Sequence, residues 1–175
     1  MSKETVDYEF SILRKVFTFP ILDLQQSCII TDYISNITFL HKGNYTNDIL
    51  IEITIKINEN LKHIHSACIV HRDLKLINVM LTSSFEVRMI DFGLSTDLTN
   101  RCYHSYYTLG SPSFVDPEIW RVIGEIDEDE PDKFYYKIDI YALGIIFYMM
   151  FNKLKHPYPE IDLTTSLTLN WIRKD

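Results

Sequence analysis

Glycine is scarce, with five in 175 residues at positions 43, 93, 110, 124 and 144. That spacing excludes a G-x-G-x-x-G cradle within this sequence, because such a loop needs three glycines inside six residues to bring backbone against a pyrophosphate. Cysteine is short as well. Cys28, Cys68 and Cys102 are odd in number and include no C-x-x-C pair, which fits an intracellular, cytoplasmic or nuclear protein better than a disulfide framework, and no His/Cys cluster has zinc-ligand spacing. Basic charge is in deficit: 17 Lys and Arg against 24 Asp and Glu give a net charge of −7. No cationic surplus exists to release phosphate counterions, so nucleic acid is not an expected partner. Long hydrophobic runs are absent too. The longest, Ala142 to Phe151, is about half the length a bilayer-crossing helix needs, so no membrane span is expected. The opening MSKETVDYEF has no basic stretch followed by an apolar one, so no secretory signal is expected.

What is present is ordinary. Hydrophobic residues make up 46% and charged residues 23%, the proportions of a globular domain. A chain of this length buries roughly 70% of its unfolded surface, enough for a single core.

Residues 3–17 place Val6, Phe10, Leu13 and Phe17 on one side at helical spacing, with Pro20 just beyond, and predict an amphipathic helix. ILDL and CIIT, separated by three polar residues, predict a short hairpin. Residues 47–66 carry two periods at once: ILIEITIKI alternates like a strand, while Leu50, Ile53, Ile57, Leu61 and Ile64 step by three and four. The longer pattern favours a helix. VMLT and VRMI, joined by SSFE, predict a second hairpin, and residues 137–152 an apolar helix opening at Asp139.

The densest chemical signal is His71-Arg72-Asp73-Leu74-Lys75-Leu76-Ile77-Asn78, followed thirteen residues after Asn78 by Asp91-Phe92-Gly93. These resemble the catalytic loop H-R-D-L-x-x-x-N and the D-F-G triplet of eukaryotic-type serine/threonine protein kinases. Phosphoryl transfer asks for positioning and charge neutralisation more than for covalent help. The resemblance implies that Asp73 orients the substrate hydroxyl and accepts its proton, and that Lys75 neutralises the moving phosphoryl. It implies also that Asn78 and Asp91 hold Mg2+ against the phosphates of ATP. Lysine two residues after the aspartate is the serine/threonine pattern.

Further segments extend the resemblance. Gly110-Ser111-Pro112-Ser113-Phe114-Val115-Asp116-Pro117-Glu118 is similar to the family's G-T-P-x-Y-x-A-P-E, with Ser111 keeping the hydroxyl that contacts the catalytic aspartate and lysine. Asp139 to Gly144 resembles the D-x-W-x-x-G start whose aspartate braces the loop. Upstream, Glu9 matches the glutamate of helix C. Thr31, Asp32, Tyr33 and Ile34 match gatekeeper and hinge, which with Met80 would contact adenine. Leu13, Leu24, His71 and Phe92 match the apolar column between the lobes.

The expected fold is therefore α+β and protein-kinase-like. Residues 1–34 would form a residual N-lobe of helix C, two strands and hinge, and residues 35–175 a mainly helical C-lobe, incomplete at its C-terminal end. The family's strand lysine has no counterpart before Glu9, where Lys3 is the only lysine. Loss of one preorganised charge donor costs on the order of 10²–10³ in rate. Two readings follow. One is an enzyme acting on a protein substrate with Mg-ATP; the other is a kinase-shaped protein that binds a substrate or partner kinase without turnover. The acidic run from Glu125 to Asp132 reads first as a solvated loop. Thr108, followed by Tyr107, is the expected phosphorylation site, with Arg72 as the cation facing it.

Overall fold

The computed structural model describes residues 3–17, 21–23, 28–30, 38–40, 44–99, 110–117 and 131–158. Helix α1 spans Lys3–Val16. Its buried stripe is Val6, Ile12, Leu13 and Val16, while Phe10 and Phe17 are half-buried, a slight rotation from the face the spacing predicts. The predicted hairpin follows as β1 (Ile21–Asp23) and β2 (Cys28–Ile30), antiparallel, with Ile21 opposite Ile30.

Helix α2, Asn47–Ser66, resolves the double periodicity. A strand would put Ile51, Ile53, Ile55 and Ile57 on one face. Instead Ile53 and Ile57 are fully buried with Leu50, Leu61 and Ile64, while Ile51 and Ile55 are more than half exposed. Asp48 occupies the first turn, where the helix dipole favours negative charge, and His63 and His65 the last.

Short strands then alternate with loops. β3 (Thr38–Phe39), β5 (Val79–Leu81) and β6 (Val87–Met89) form one antiparallel sheet in the order β3-β5-β6. Val79 lies opposite Met89 and Leu81 opposite Val87, all four buried, while Arg88 between them points outward; this is the period-two alternation of a sheet with one face on the core. β4 (Ile69–Val70) pairs with β7 (Thr96–Asp97), so the strand entering residues 71–78 is tied to the one leaving residues 91–93.

Helix α3 runs from Pro131 to Phe151, eight residues earlier than the expected opening at Asp139. The proline suits a first helical position, and Tyr135 and Ile138 are buried against Val70, Leu98 and Val115, an apolar contact that the later run of hydrophobic residues conceals. Asp139 thus sits inside the helix. The main core joins α2, α3, β5 and β6 through Ile53, Ile57, Val79, Met89 and Ile146, and α1 seals it with Ile12 and Leu13. Among the described residues no helix is long and apolar enough to cross a membrane.

Candidate active site

Residues 71–78 leave β4, cross the front of the core and re-enter it at β5. Two features fix their path. Asp139, 0% exposed, accepts hydrogen bonds from the amides of His71 and Arg72, each at 2.8 Å, and its Oδ2 lies 2.8 Å from His65 Nε2. Arg72 adopts a left-handed backbone, φ 67°, a conformation costing an L-residue on the order of 1 kcal/mol that must be held by its surroundings. Its Nη1 donates to Thr96 Oγ1 at 2.9 Å, so the loop is anchored to α3 through backbone and to β7 through a side chain.

His71 is fully buried. Its Nε2 donates to the carbonyl of Ile90 at 3.0 Å, and its ring lies 4.8 Å from that of Phe92. Phe92 is itself buried and meets Phe17 edge-on at 5.5 Å. The imidazole is therefore a packing and tethering group. Leu13 and Phe92 share the same apolar cluster as expected, whereas Leu24 lies outside the described residues.

These tethers leave Asp73 at the rim, 7% exposed. Its Oδ2 accepts from Lys75 Nζ at 2.6 Å; its Oδ1 accepts from Ser111 amide at 2.8 Å and Ser111 hydroxyl at 2.9 Å. Lys75 Nζ closes the triangle on Ser111 Oγ at 3.0 Å. The approach of residue 110 to the loop is close: a Cβ there would fall 2.4 Å from the Arg72 carbonyl oxygen and 2.6 Å from Asp73 Oδ1. Only glycine fits without moving backbone.

Asn78 ends the 3₁₀ turn Leu76–Asn78. It is 4% exposed, and its Nδ2 donates to the Asp73 carbonyl at 2.9 Å, which leaves the amide oxygen uncommitted to any hydrogen bond among the described residues. Asp91 follows β6 with φ 66° and an exposed side chain. Its Oδ1 and Glu9 Oε2 both border Gly93, 3.6 Å and 4.0 Å from where a Cβ would stand. Burial, and then the neighbouring Asp91 charge, push the Glu9 carboxyl above its ordinary value. The Asp91 carboxylate and the Asn78 amide oxygen are hard donors, few enough to leave coordination positions for water and phosphate, the ligand pattern Mg2+ takes. The residues present fit that ion. Among the described residues no group of three or more His, Cys, Asp or Glu forms a metal cluster of its own.

The sequence-predicted residues thus divide. Asp73 and Lys75 are in direct contact, Asn78 is bonded to the Asp73 backbone, and Asp91 stands beside Glu9. Met80 is half-buried in β5, paired with Phe39 of β3. Thr31, Asp32, Tyr33, Ile34, Tyr107, Thr108 and Glu118 lie outside the described residues. His65 went unnoticed in the sequence: it belongs to the last turn of a helix and only the fold brings it to Asp139.

The sequence matches the protein kinase domain over residues 13–172. The chain belongs to the protein kinase family. Its α+β fold is that of a protein kinase, with the helices and small antiparallel sheets described above. Similar proteins carry the same designation. A serine/threonine-protein kinase of Acanthamoeba polyphaga mimivirus is 36% identical over 151 residues, covering 78% of this chain and 50% of that protein. Misshapen-like kinase 1 of Rattus norvegicus is 34% identical over 118 residues, 66% of this chain and 8% of the relative. The serine/threonine-protein kinase Nek3 of Mus musculus is 34% identical over 114 residues, 65% of this chain and 20% of the relative. This kinase chain spans half the length of the viral relative and smaller shares of the other two.

Proposed function

We propose that this protein transfers the terminal phosphoryl group of ATP to a serine or threonine hydroxyl of a protein substrate. The observation that carries the proposal is the closed triangle of Asp73, Lys75 and Ser111. It brings a carboxylate acceptor and an ammonium together at one rim position, joined by a hydroxyl from a segment 36 residues away.

On this reading Asp73 Oδ1 or Oδ2 orients the incoming hydroxyl and takes its proton as the oxygen attacks the terminal phosphorus, while the bond from that phosphorus to its bridging oxygen breaks and ADP leaves. Lys75 shifts from Asp73 toward the phosphoryl oxygens as negative charge redistributes, and Ser111 keeps the two in register. Asn78 and Asp91 are assigned to Mg2+, which when bound supplies charge neutralisation to the phosphates. Met80 and residues 31–34 are assigned to adenine. Residues 1–34 would then carry helix C, the hairpin and the hinge, and residues 35–175 the catalytic lobe.

The test is phosphate incorporation from labelled ATP into a generic basic protein, by wild type, Asp73→Asn and Lys75→Met. Incorporation lost in both variants supports the assignment. Incorporation that persists in Asp73→Asn sinks it. No incorporation from wild type, combined with Mg-ATP binding, would replace the enzyme by a kinase-shaped binding module.

A further inference from the structure

Asp97 is where α1 meets the segment that follows Asp91. Its side chain is 2% exposed and forms an ion pair with Lys15, 82 residues earlier in the chain. Lys15 Nζ also donates to Thr99 Oγ1 at 2.7 Å. Thr99 in turn gives Asp97 Oδ1 two hydrogen bonds, from its amide at 3.0 Å and its hydroxyl at 2.7 Å. A second contact comes from higher on the same helix: the Asp97 amide donates to the Tyr8 hydroxyl at 3.3 Å. Tyr8 and Lys15 are seven residues apart, about two helical turns, and so share a face. Burial works to raise the Asp97 carboxyl, yet the bonds from Lys15 and Thr99 hold it below its ordinary value. The cluster is built around an ionised carboxylate.

Its location gives the cluster leverage in two directions. Asp97 pairs with Ile69 and Thr96 with Val70, and the Leu98 amide donates to the Cys68 carbonyl at 2.9 Å. Val70 leads directly into His71, and Thr96 accepts from Arg72. A displacement of Asp97 is therefore transmitted to the start of residues 71–78. In the other direction, Tyr8 adjoins Glu9, whose carboxylate borders Gly93 together with that of Asp91. Helix α1 thus meets this segment at Asp97, through Lys15 and Tyr8, and near Gly93, through Glu9.

We propose that Lys15 and Tyr8 are positioning residues that clasp α1 onto Asp97 and so set the helix bearing Glu9 in register with the loops bearing Asp73 and Asp91. The catalytic consequence rests on the kinase reading; the clasp itself does not. Lys15 is partly exposed while Asp97 is buried, so removing the lysine takes a cationic partner from a buried carboxylate that keeps its bonds from Thr99, whereas replacing it by arginine keeps the charge.

Hydrogen exchange followed by mass spectrometry on the full chain tests this, using Lys15→Met, Lys15→Arg and Tyr8→Phe. In Lys15→Met, exchange should rise about tenfold in residues 3–16 and 94–99, with α2 and α3 unchanged, because opening is local to the element that loses its tether. Lys15→Arg should restore the wild-type pattern. Tyr8→Phe keeps the ring and should produce a smaller rise in the same segments; it decides the matter if Lys15→Met does not fold. In the labelled-ATP assay Lys15→Met should lower kcat with little change in KM for the protein substrate. A chain that transfers no phosphate would defeat the kinase reading while the exchange pattern still judged the clasp. Exchange unchanged in α1, a rise spread evenly over α2 and α3, or arginine as damaging as methionine would each overturn the clasp.

Discussion

Replacing Asp139 by asparagine should destabilise the protein far more than its small change in shape suggests. The carboxylate is fully buried, and it accepts from the amides of His71 and Arg72 and contacts His65 Nε2. Asparagine keeps one oxygen acceptor and puts an NH₂ group where the second stood, so one of the two loop amides must face a donor. An orphaned buried amide costs about 1–3 kcal/mol, and loss of charge assistance in the remaining bond adds to it, for a total of about 2–4 kcal/mol. In a chain of this size each kcal/mol moves Tm by about 2–4 °C, so a fall of about 4–16 °C is expected. Urea melts should give a lower midpoint with the same slope, since the exposed surface on unfolding is unchanged. His65→Gln, which keeps a donor at that corner, should cost about 1 kcal/mol or less. A fall in Tm below about 2 °C for Asp139→Asn would refute the claim that this carboxylate holds the loop.

Three further outcomes follow from the same geometry. Gly110→Ala forces a Cβ to within 2.4 Å of the Arg72 carbonyl oxygen, so the 110–117 segment must retreat from Asp73; phosphate transfer should fall by about 10²-fold, as for loss of one preorganised donor, and wild-type activity in this variant would show that Ser111 is dispensable. Glu9 has its carboxyl raised above the ordinary 4.5, so the folded state binds its proton more tightly than the unfolded one; stability is lost as pH rises from that ordinary value through the raised one. Glu9→Gln should therefore raise Tm at pH 7 and make little difference at pH 4, and the reverse order in calorimetry would contradict the assignment. For nucleotide, Mg-ATP near its dissociation constant should stabilise by only about 0.4 kcal/mol; the shift should vanish with chelator and in Asp91→Ala, and a large shift surviving both would place nucleotide elsewhere.

Much of the site was legible because its residues are local in sequence. Residues 71–78 and 91–93 are compact strings whose spacing spans one hairpin, and β5 and β6 occupy that span. Helix α2 was readable because a twenty-residue amphipathic pattern outlasts a nine-residue alternation. The start of α3 was not, since Pro131 to Ile138 owes its helical state to burial of Tyr135 and Ile138 against Val70, Leu98 and Val115, contacts between distant segments. His65, Lys15 and Asp97 were invisible for the same reason. An ion pair across 82 residues leaves no periodic trace. The hinge assignment to Thr31, Asp32, Tyr33 and Ile34 lies outside the described residues.

The left-handed backbone at Asp91 carries an implication for how sequence and stability trade against each other. At φ 66° a side chain is a liability of about 1–2 kcal/mol that glycine would not incur. No hydrogen bond among the described residues reaches the Asp91 carboxylate, and its charge adds to the burden on Glu9. Asp91→Gly should accordingly give a sturdier protein, with a higher melting temperature and a more readily ionised Glu9. A search for stabilising substitutions guided by melting temperature alone would select that change early, and would discard with it the exposed carboxylate on which the assignment of Mg2+ depends.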